Sequence, residues 1–128
     1  MSRILLADDD HQVRNMLKLT LEREGHEVVE AEDGVQAVAR YHPDSIDLVI
    51  TDIVMPEKEG IETIMELRSI DAHVKIIAIS GGGRINPDDY LSWARRFGVQ
   101  HTFTKPVDRN QLLDAINELM GTECVQES

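Results

Sequence analysis

Three consecutive aspartates, Asp8, Asp9 and Asp10, follow directly after the apolar residues 4–7. Two ionised carboxylates about 4 Å apart at a protein surface repel by roughly 4 kcal/mol at an effective dielectric constant near 20, so this crowding destabilises a fold unless a cation neutralises it. Carboxylate oxygens suit a hard cation, which completes its shell with water and phosphate oxygens. Asp8 and Asp9 are therefore candidate ligands for Mg²⁺ (or Mn²⁺), whereas Asp10 is placed to cap the helix that follows.

Three further polar residues, Asp52, Ser80 and Lys105, each lie at the end of a later apolar run. A carboxylate can act as a nucleophile toward a phosphoryl group and form an aspartyl phosphate. Phosphoryl transfer depends on positioning and charge neutralisation, for which a hydroxyl, an ammonium and a metal ion are suited. This pattern predicts Asp52 as phosphoacceptor, with Ser80 and Lys105 contacting the phosphoryl oxygens.

Strand and helix signals alternate along the chain. Short runs rich in β-branched or aromatic residues predict five strands, at 4–7, 28–31, 46–51, 75–80 and 99–104. Apolar residues at helical spacing predict three helices between them, with faces formed by Val13, Met16, Leu17, Thr20 and Leu21, by Val35, Val38 and Ala39, and by Ile61, Ile64 and Met65.

Two more helices are predicted in the second half of the chain. The fourth begins after the cap Asn86, has Pro87 in its first turn and ends at Gly98, and its apolar face is Tyr90, Trp93, Ala94 and Phe97. The fifth follows the cap Asp108, with the face Leu112, Leu113, Ile116, Leu119 and Met120.

This alternation predicts an α/β fold in which helices cover both faces of a parallel sheet. In such sheets ligands bind beyond the carboxyl ends of the strands, at the point where the strand order reverses. The five polar residues that follow or end strands would then share one rim of the sheet: Asp8, Asp9, Asp52, Ser80 and Lys105.

Composition bounds the classes of partner. The 128 residues suit one domain, which we place at 1–120, with 121–128 as a disordered tail or the start of a linker. Acidic residues outnumber basic ones 24 to 13, so direct binding to nucleic acid or an anionic membrane is disfavoured. One cysteine without a partner and no long apolar run predict a cytoplasmic location.

The stretches ILLADDD, LVITDIVMPEKEG, IIAIS and FTKP, in this order and at about these spacings, resemble the receiver domain of bacterial two-component response regulators from Arg3 to about Met120. The resemblance implies a CheY-like, doubly wound, five-stranded (flavodoxin-like) fold with strand order 2-1-3-4-5. It also implies that Asp52 takes a phosphoryl group from a phosphohistidine of a sensor kinase or phosphotransfer protein. Such a domain is a switch rather than a turnover enzyme.

The same resemblance assigns roles by position. Asp9 would bind the metal directly and Asp8 largely through water, with Asp52 and the backbone carbonyl of Val54 as further ligands. Ser80 and Lys105 would contact phosphoryl oxygens, and the Lys105–Pro106 bond would be cis. A partner or output domain would be controlled through the face formed by the fourth helix, fifth strand and fifth helix.

One position departs from the family pattern. Receivers usually have Tyr or Phe three residues before the lysine, a ring that turns inward on activation, whereas this chain has Thr102. The segment between the hydroxyl residue and the lysine is also longer than is typical. We expect the switch to involve Ser80, Thr102 and the glycine loop, which would change its order on phosphorylation; Phe103 and His101 are alternative routes. The glycines are Gly81, Gly82 and Gly83.

Two other classes stay open. A haloacid-dehalogenase-type phosphohydrolase would use Asp8 as nucleophile and Asp10 as acid, but would leave Asp52 without a role. A structural module with the same fold would not be phosphorylated at all.

Overall fold

The computed structural model describes residues 2–52, 60–80, 96 and 98–120. These residues form five strands: β1 (Arg3–Ala7), β2 (Glu27–Ala31), β3 (Leu48–Asp52), β4 (Ile76–Ser80) and β5 (His101–Thr104). The helices are α1 (His11–Arg23), α2 (Gly34–Arg40), α3 (Gly60–Ile70) and α4 (Arg109–Met120). α4 is the fifth helix predicted from the sequence, and nearly all of the predicted fourth lies outside the described residues.

The five strands form one sheet in which every neighbouring pair is parallel, in the order β2-β1-β3-β4-β5. The predicted fold class and strand order are confirmed, although β3 and β5 each begin two residues later than predicted. The order reverses at β1, so the carboxyl ends of β1 and β3 flank the switch point where α/β sheets bind ligands. None of the described helices is long and apolar enough to cross a membrane.

Helices cover both faces of this sheet, which explains why its central strands are apolar throughout rather than alternating. On one face, Leu5, Val49 and Ala78 pack with residues of α2 and α3. On the other, strand residues pack with α1 and α4, and this cluster includes Ile4, Leu6, Ile50, Ile77, Ile79, Leu17, Leu21, Leu112 and Ile116. Polar side chains of the three central strands, β1, β3 and β4, are therefore restricted to the ends of those strands.

The predicted helix faces are correct only in part. Leu17, Leu21 and Ile64 are buried, but Met16, Val35 and Met65 are 52%, 54% and 51% exposed. The predicted inward position of these last three is wrong because other residues occupy the buried stripes. Those residues are Arg14, Leu17, Thr20 and Leu21 in α1, Gly34 and Ala37 in α2, and Thr63, Ile64 and Leu67 in α3.

Both predicted aspartate caps are confirmed. Oδ1 of Asp10 accepts hydrogen bonds from the backbone N–H groups of Gln12 (3.0 Å) and Val13 (3.2 Å). Oδ1 of Asp108 accepts one from the N–H of Gln111 at 3.0 Å. Each cap satisfies donors that have no partner within the helix, which typically stabilises a helix by about 1 kcal/mol.

Candidate functional site

The carboxyl ends of β1 and β3 bring the predicted acidic residues together. Ala7 pairs with Thr51, so Asp8 and Asp52 occupy the next positions of neighbouring strands. Oxygens of the Asp8, Asp9 and Asp52 carboxylates all lie within 4.8 Å of one another. Asp8 and Asp52 are buried, whereas Asp9 is exposed. The cluster therefore has a deep side in the sheet and an open side toward solvent.

The ammonium of Lys105 joins this cluster from the end of β5. Its Nζ lies 2.8 Å from Oδ2 of Asp52 and 3.0 Å from Oδ2 of Asp8. Because β4 separates β5 from β3, the lysine side chain must reach past the end of an intervening strand. Its side chain is only 18% exposed, so both ion pairs are largely shielded from water.

The two carboxylate oxygens of Asp8 have different surroundings. Oδ1 accepts a hydrogen bond of 2.9 Å from the backbone N–H of Asp10. Oδ2 is buried and near the Lys105 ammonium, but within the described part of the chain no donor reaches it with hydrogen-bond geometry. The ion pair with Lys105, an ammonium that Asp8 shares with Asp52, balances the charge of this oxygen only in part. This oxygen of Asp8, together with the carboxylates of Asp9 and Asp52, forms a set of oxygen ligands that fits a hard divalent cation.

Electrostatics at the site favour a bound cation. Burial raises the pKa of Asp8 above its ordinary value and the charge of Asp52 raises it further, while the Asp10 N–H and Lys105 lower it only in part. Burial by itself would lower the pKa of Lys105, but its hydrogen bond to Asp52 and its ion pairs with Asp52 and Asp8 leave that pKa above its ordinary value. Lys105 therefore stays protonated at neutral pH, and Asp8 ionises at a cost that a nearby cation would reduce.

Several predicted site features lie partly or wholly outside the described residues. Ser80 is the last residue of β4 and pairs with Thr104, but the description does not extend to its side chain. The peptide bond between Lys105 and Pro106, in contrast, lies within the described residues and is cis. The remaining positions fall outside the described ranges: Val54, Gly81, Gly82 and Gly83.

Thr102 and Phe103 lie on opposite faces of β5. Phe103 packs against the apolar cluster that contains Ile79 and Leu112. Neighbouring residues of a strand point to opposite faces, so the side chain of Thr102 lies on the other side of the sheet. Phe103 is therefore not placed to substitute for an aromatic residue at position 102.

One buried charged residue, Arg14, has no role in the sequence-based prediction. It is 6% exposed and its guanidinium contacts the backbone carbonyl of Asp8. A signal for it exists in the sequence, because Arg14 lies three residues before Leu17 and seven before Leu21 on the apolar stripe of α1. An arginine on such a stripe indicates a buried polar partner.

The chain belongs to the response regulator receiver domain family, which it matches over residues 4–117. It is 40% identical to the chemotaxis protein CheY of Bacillus subtilis over 120 residues, which cover 93% of this chain and 98% of that protein. It is 36% identical to CheY of Halobacterium salinarum over 118 residues, covering 92% and 96% of the two chains. The predicted membership of the CheY-like receivers of two-component systems is confirmed.

A solved structure agrees with this assignment. The crystal structure of a response regulator receiver domain protein from Clostridium thermocellum matches with a TM-score of 0.88 and 29% identity, over 98% of this chain and 99% of that one.

The hydrolase alternative finds no support at the site. It needs Asp10 as an acid beside Asp8, but the Asp10 carboxylate caps α1.

Proposed function

We propose that Asp52 accepts a phosphoryl group from a phosphohistidine of a sensor histidine kinase or phosphotransfer protein, with Mg²⁺ (or Mn²⁺) held by Asp8, Asp9 and Asp52. One observation carries this proposal. A buried carboxylate at the switch point of the sheet lies within 4.8 Å of two further carboxylates and 2.8 Å from an ammonium. This set combines a nucleophile, ligands for a cation and a permanent positive charge.

The proposed reaction transfers the phosphoryl group from the phosphohistidine of the donor protein to Asp52. An oxygen of the Asp52 carboxylate attacks phosphorus while the P–N bond to the imidazole breaks; the leaving nitrogen keeps the electron pair. When bound, the divalent cation neutralises charge on the phosphoryl oxygens. The Lys105 ammonium pairs with another of these oxygens. By the same resemblance, the hydroxyl of Ser80 donates to the phosphoryl group and the carbonyl of Val54 completes the metal ligands.

Phosphorylation at Asp52 would make this domain a signalling switch rather than a turnover enzyme. We infer that it controls a downstream protein or output domain through the face of the predicted fourth helix, β5 and α4. Within the described part of this face, Nε2 of His101 lies 3.0 Å from Oε1 of Glu118, which links β5 to α4. Ser80, Thr102 and the loop of Gly81, Gly82 and Gly83 would transmit the change.

Amide hydrogen exchange of residues 81–89 tests this switch. Protection should differ between the free protein and the protein with beryllofluoride as a phosphoryl mimic. Equal protection in both states would exclude the glycine loop as the element that changes.

Covalent labelling tests the phosphoacceptor. The purified protein is incubated with acetyl phosphate or phosphoramidate and Mg²⁺, and its intact mass and peptides are measured. We expect one acid-stable, base-labile phosphoryl group on the peptide that contains Asp52, and none in Asp52→Asn. Asp47→Asn is the matched control, because Asp47 lies just before the other end of β3 and its carboxylate accepts the N–H of Arg3. This variant should be labelled like the wild type.

Two results would contradict the proposal in distinct ways. An unlabelled wild-type protein would support a structural module that is not phosphorylated. Turnover of a phosphomonoester that is lost in Asp8→Asn and retained in Asp52→Asn would support the hydrolase class.

A further inference from the structure

The β1–α1 loop, residues 8–10, holds two of the three clustered carboxylates, and its backbone is bonded on several sides. The N–H of Asp8 donates to the carbonyl of Ala31 at 3.1 Å, and the N–H of Arg14 donates to the carbonyl of Asp10 at 2.9 Å. The carbonyl of Asp8, in contrast, accepts a hydrogen bond from a side chain. Nη1 of Arg14 donates to it at 2.7 Å, in a buried position.

The Arg14 guanidinium joins three elements at once. Besides the Asp8 carbonyl, its Nε lies 3.0 Å from Oε1 of Glu30 on β2. Its Nη2 lies 3.1 Å from Nδ1 of His11, the first residue of α1. Since arginine only donates, His11 Nδ1 is the acceptor in this contact. The guanidinium thus ties the end of β1 and the start of α1 to the neighbouring strand.

A buried charge of this kind is a poor choice for stability alone. The position lies on the apolar stripe of α1, where a well-packed apolar residue is often as stable as a buried ion pair. Simple electrostatics also argue against it, because a positive charge against the backbone of Asp8 opposes the binding of a cation by the nearby carboxylates. The contact with the Asp8 carbonyl gives the residue a different use. It fixes the peptide between Asp8 and Asp9, and with it the directions in which both carboxylates leave the backbone.

We propose that Arg14 is a positioning residue for the divalent-cation site and acts through the Asp8–Asp9 peptide. The inference rests on the proposed function, since it assumes that Asp8 and Asp9 bind Mg²⁺ or Mn²⁺. It makes a prediction opposite in sign to the electrostatic one. Removing the guanidinium should weaken cation binding, although it also removes a positive charge from the neighbourhood of the site.

The deciding measurement is the affinity for Mn²⁺. It is obtained by titrating the full chain with Mn²⁺ and monitoring free Mn²⁺ through its electron paramagnetic resonance signal. Arg14→Met keeps much of the apolar stem and removes every donor. We expect it to weaken Mn²⁺ binding by about tenfold, at the lower end of the range for residues that orient metal ligands. In metal-free protein, the amide nitrogen signal of Asp9 should also shift, because this amide belongs to the peptide that Arg14 binds.

Two control variants separate positioning from general damage. Glu30→Gln removes the ion pair but leaves the bond from Arg14 to the Asp8 carbonyl, and should change Mn²⁺ affinity by less than about twofold. Leu21→Ala opens a cavity at the far end of α1 and lowers stability without touching the loop. It should bind Mn²⁺ like the wild type.

The outcomes are distinguishable. Wild-type or tighter Mn²⁺ binding by Arg14→Met would overturn the role of Arg14 and leave the proposed function intact. Absence of Mn²⁺ binding by the wild-type protein would overturn the proposed function and this inference together. If Arg14→Met does not fold, Arg14→Lys decides. It keeps the charge, but one ammonium cannot replace the three guanidinium contacts, so weaker binding supports positioning and unchanged binding overturns it.

Discussion

The two ends of this sheet contain ion pairs of opposite character. At the amino end, Nη2 of Arg3 on β1 lies 3.2 Å from Oε1 of Glu27 on β2, and the two side chains are 43% and 52% exposed. At the carboxyl end, one largely buried ammonium, that of Lys105, faces the buried carboxylates of Asp8 and Asp52. The first pair is balanced and solvated; the second set has an excess of negative charge.

This difference separates stability from function. Exposed ion pairs contribute about 0–1 kcal/mol, so the pair at the amino end changes the free energy of unfolding very little. The carboxyl end concentrates repulsion that the rest of the fold must offset. Departures from locally favourable design are expected at functional sites. The comparison therefore indicates which end of the sheet is used for chemistry.

Divalent cations should give the largest difference between the two ends. Under the proposed function, Mg²⁺ at about a hundredfold excess over its Kd should raise the free energy of unfolding by about 2.7 kcal/mol, because the carboxylates of the cation site are brought together only in the folded state. Urea denaturation followed by circular dichroism measures this. Asp8→Asn should lose most of the effect and Asp47→Asn should retain it. Equal stabilisation of both variants would show that Mg²⁺ binds elsewhere.

Loss of the buried ammonium should come next. Lys105→Met removes the ammonium that pairs with two buried carboxylates. We expect the free energy of unfolding to fall by about 2 kcal/mol in metal-free buffer, less than for a fully buried pair because Lys105 is partly solvated. Arg3→Met at the other end should change stability by less than about 0.5 kcal/mol. Similar losses in both variants would remove the distinction between the ends.

Removal of the Asp8 charge should have a smaller effect of opposite sign. The pKa of Asp8 is raised in the folded state, mainly by burial, so the folded protein holds this proton more tightly than the unfolded chain. The resulting stabilisation is complete below the unfolded pKa and is lost as pH rises through the folded pKa. In metal-free buffer at neutral pH, the free energy of unfolding of Asp8→Asn should therefore exceed that of the wild type by about 1 kcal/mol, because the repulsion between the carboxylates at positions 8 and 52 is removed. Urea denaturation at a series of pH values from acidic to neutral measures this difference. A difference in the free energy of unfolding between the two proteins that does not change with pH would contradict the prediction.

The smallest effect is expected at the amino end. Glu27→Gln should lower the free energy of unfolding by less than about 0.5 kcal/mol, and the difference should disappear in about 1 M salt. A larger loss that persists in high salt would mean that this exposed pair is not a weak one.

Much of the site followed from the sequence because the fold has simple geometric rules. Continuous apolar runs predicted buried strands, and parallel strands place their carboxyl ends on one rim. Asp8, Asp52 and Lys105 therefore lie together as expected, although the first and the last are 97 positions apart in the sequence. Asp10 was recognised as a cap since a short acceptor before a helix has a local use that needs no tertiary contact.

What the sequence could not supply depends on side-chain direction and on pairing between distant elements. Met16 has the right spacing for a buried face, but the helix is rotated so that Arg14 points inward. The ion-pair partner of Arg14 is Glu30, sixteen residues away on β2, and no spacing rule connects the two. The opposite directions of Thr102 and Phe103 required the register of β5, which alone shows which of the two contacts the core.

Lys105 also sets the charge balance of a full signalling cycle under the proposed function. Among the described residues, three carboxylates and one ammonium give the metal-free pocket two net negative charges. A divalent cation brings the pocket to neutrality, and a doubly ionised acyl phosphate on Asp52 takes it to a single negative charge. Without the lysine, each state would be one unit more negative. The ammonium thus acts as a resident counterion, which keeps the acyl phosphate state within one unit of electroneutrality while the cation is bound.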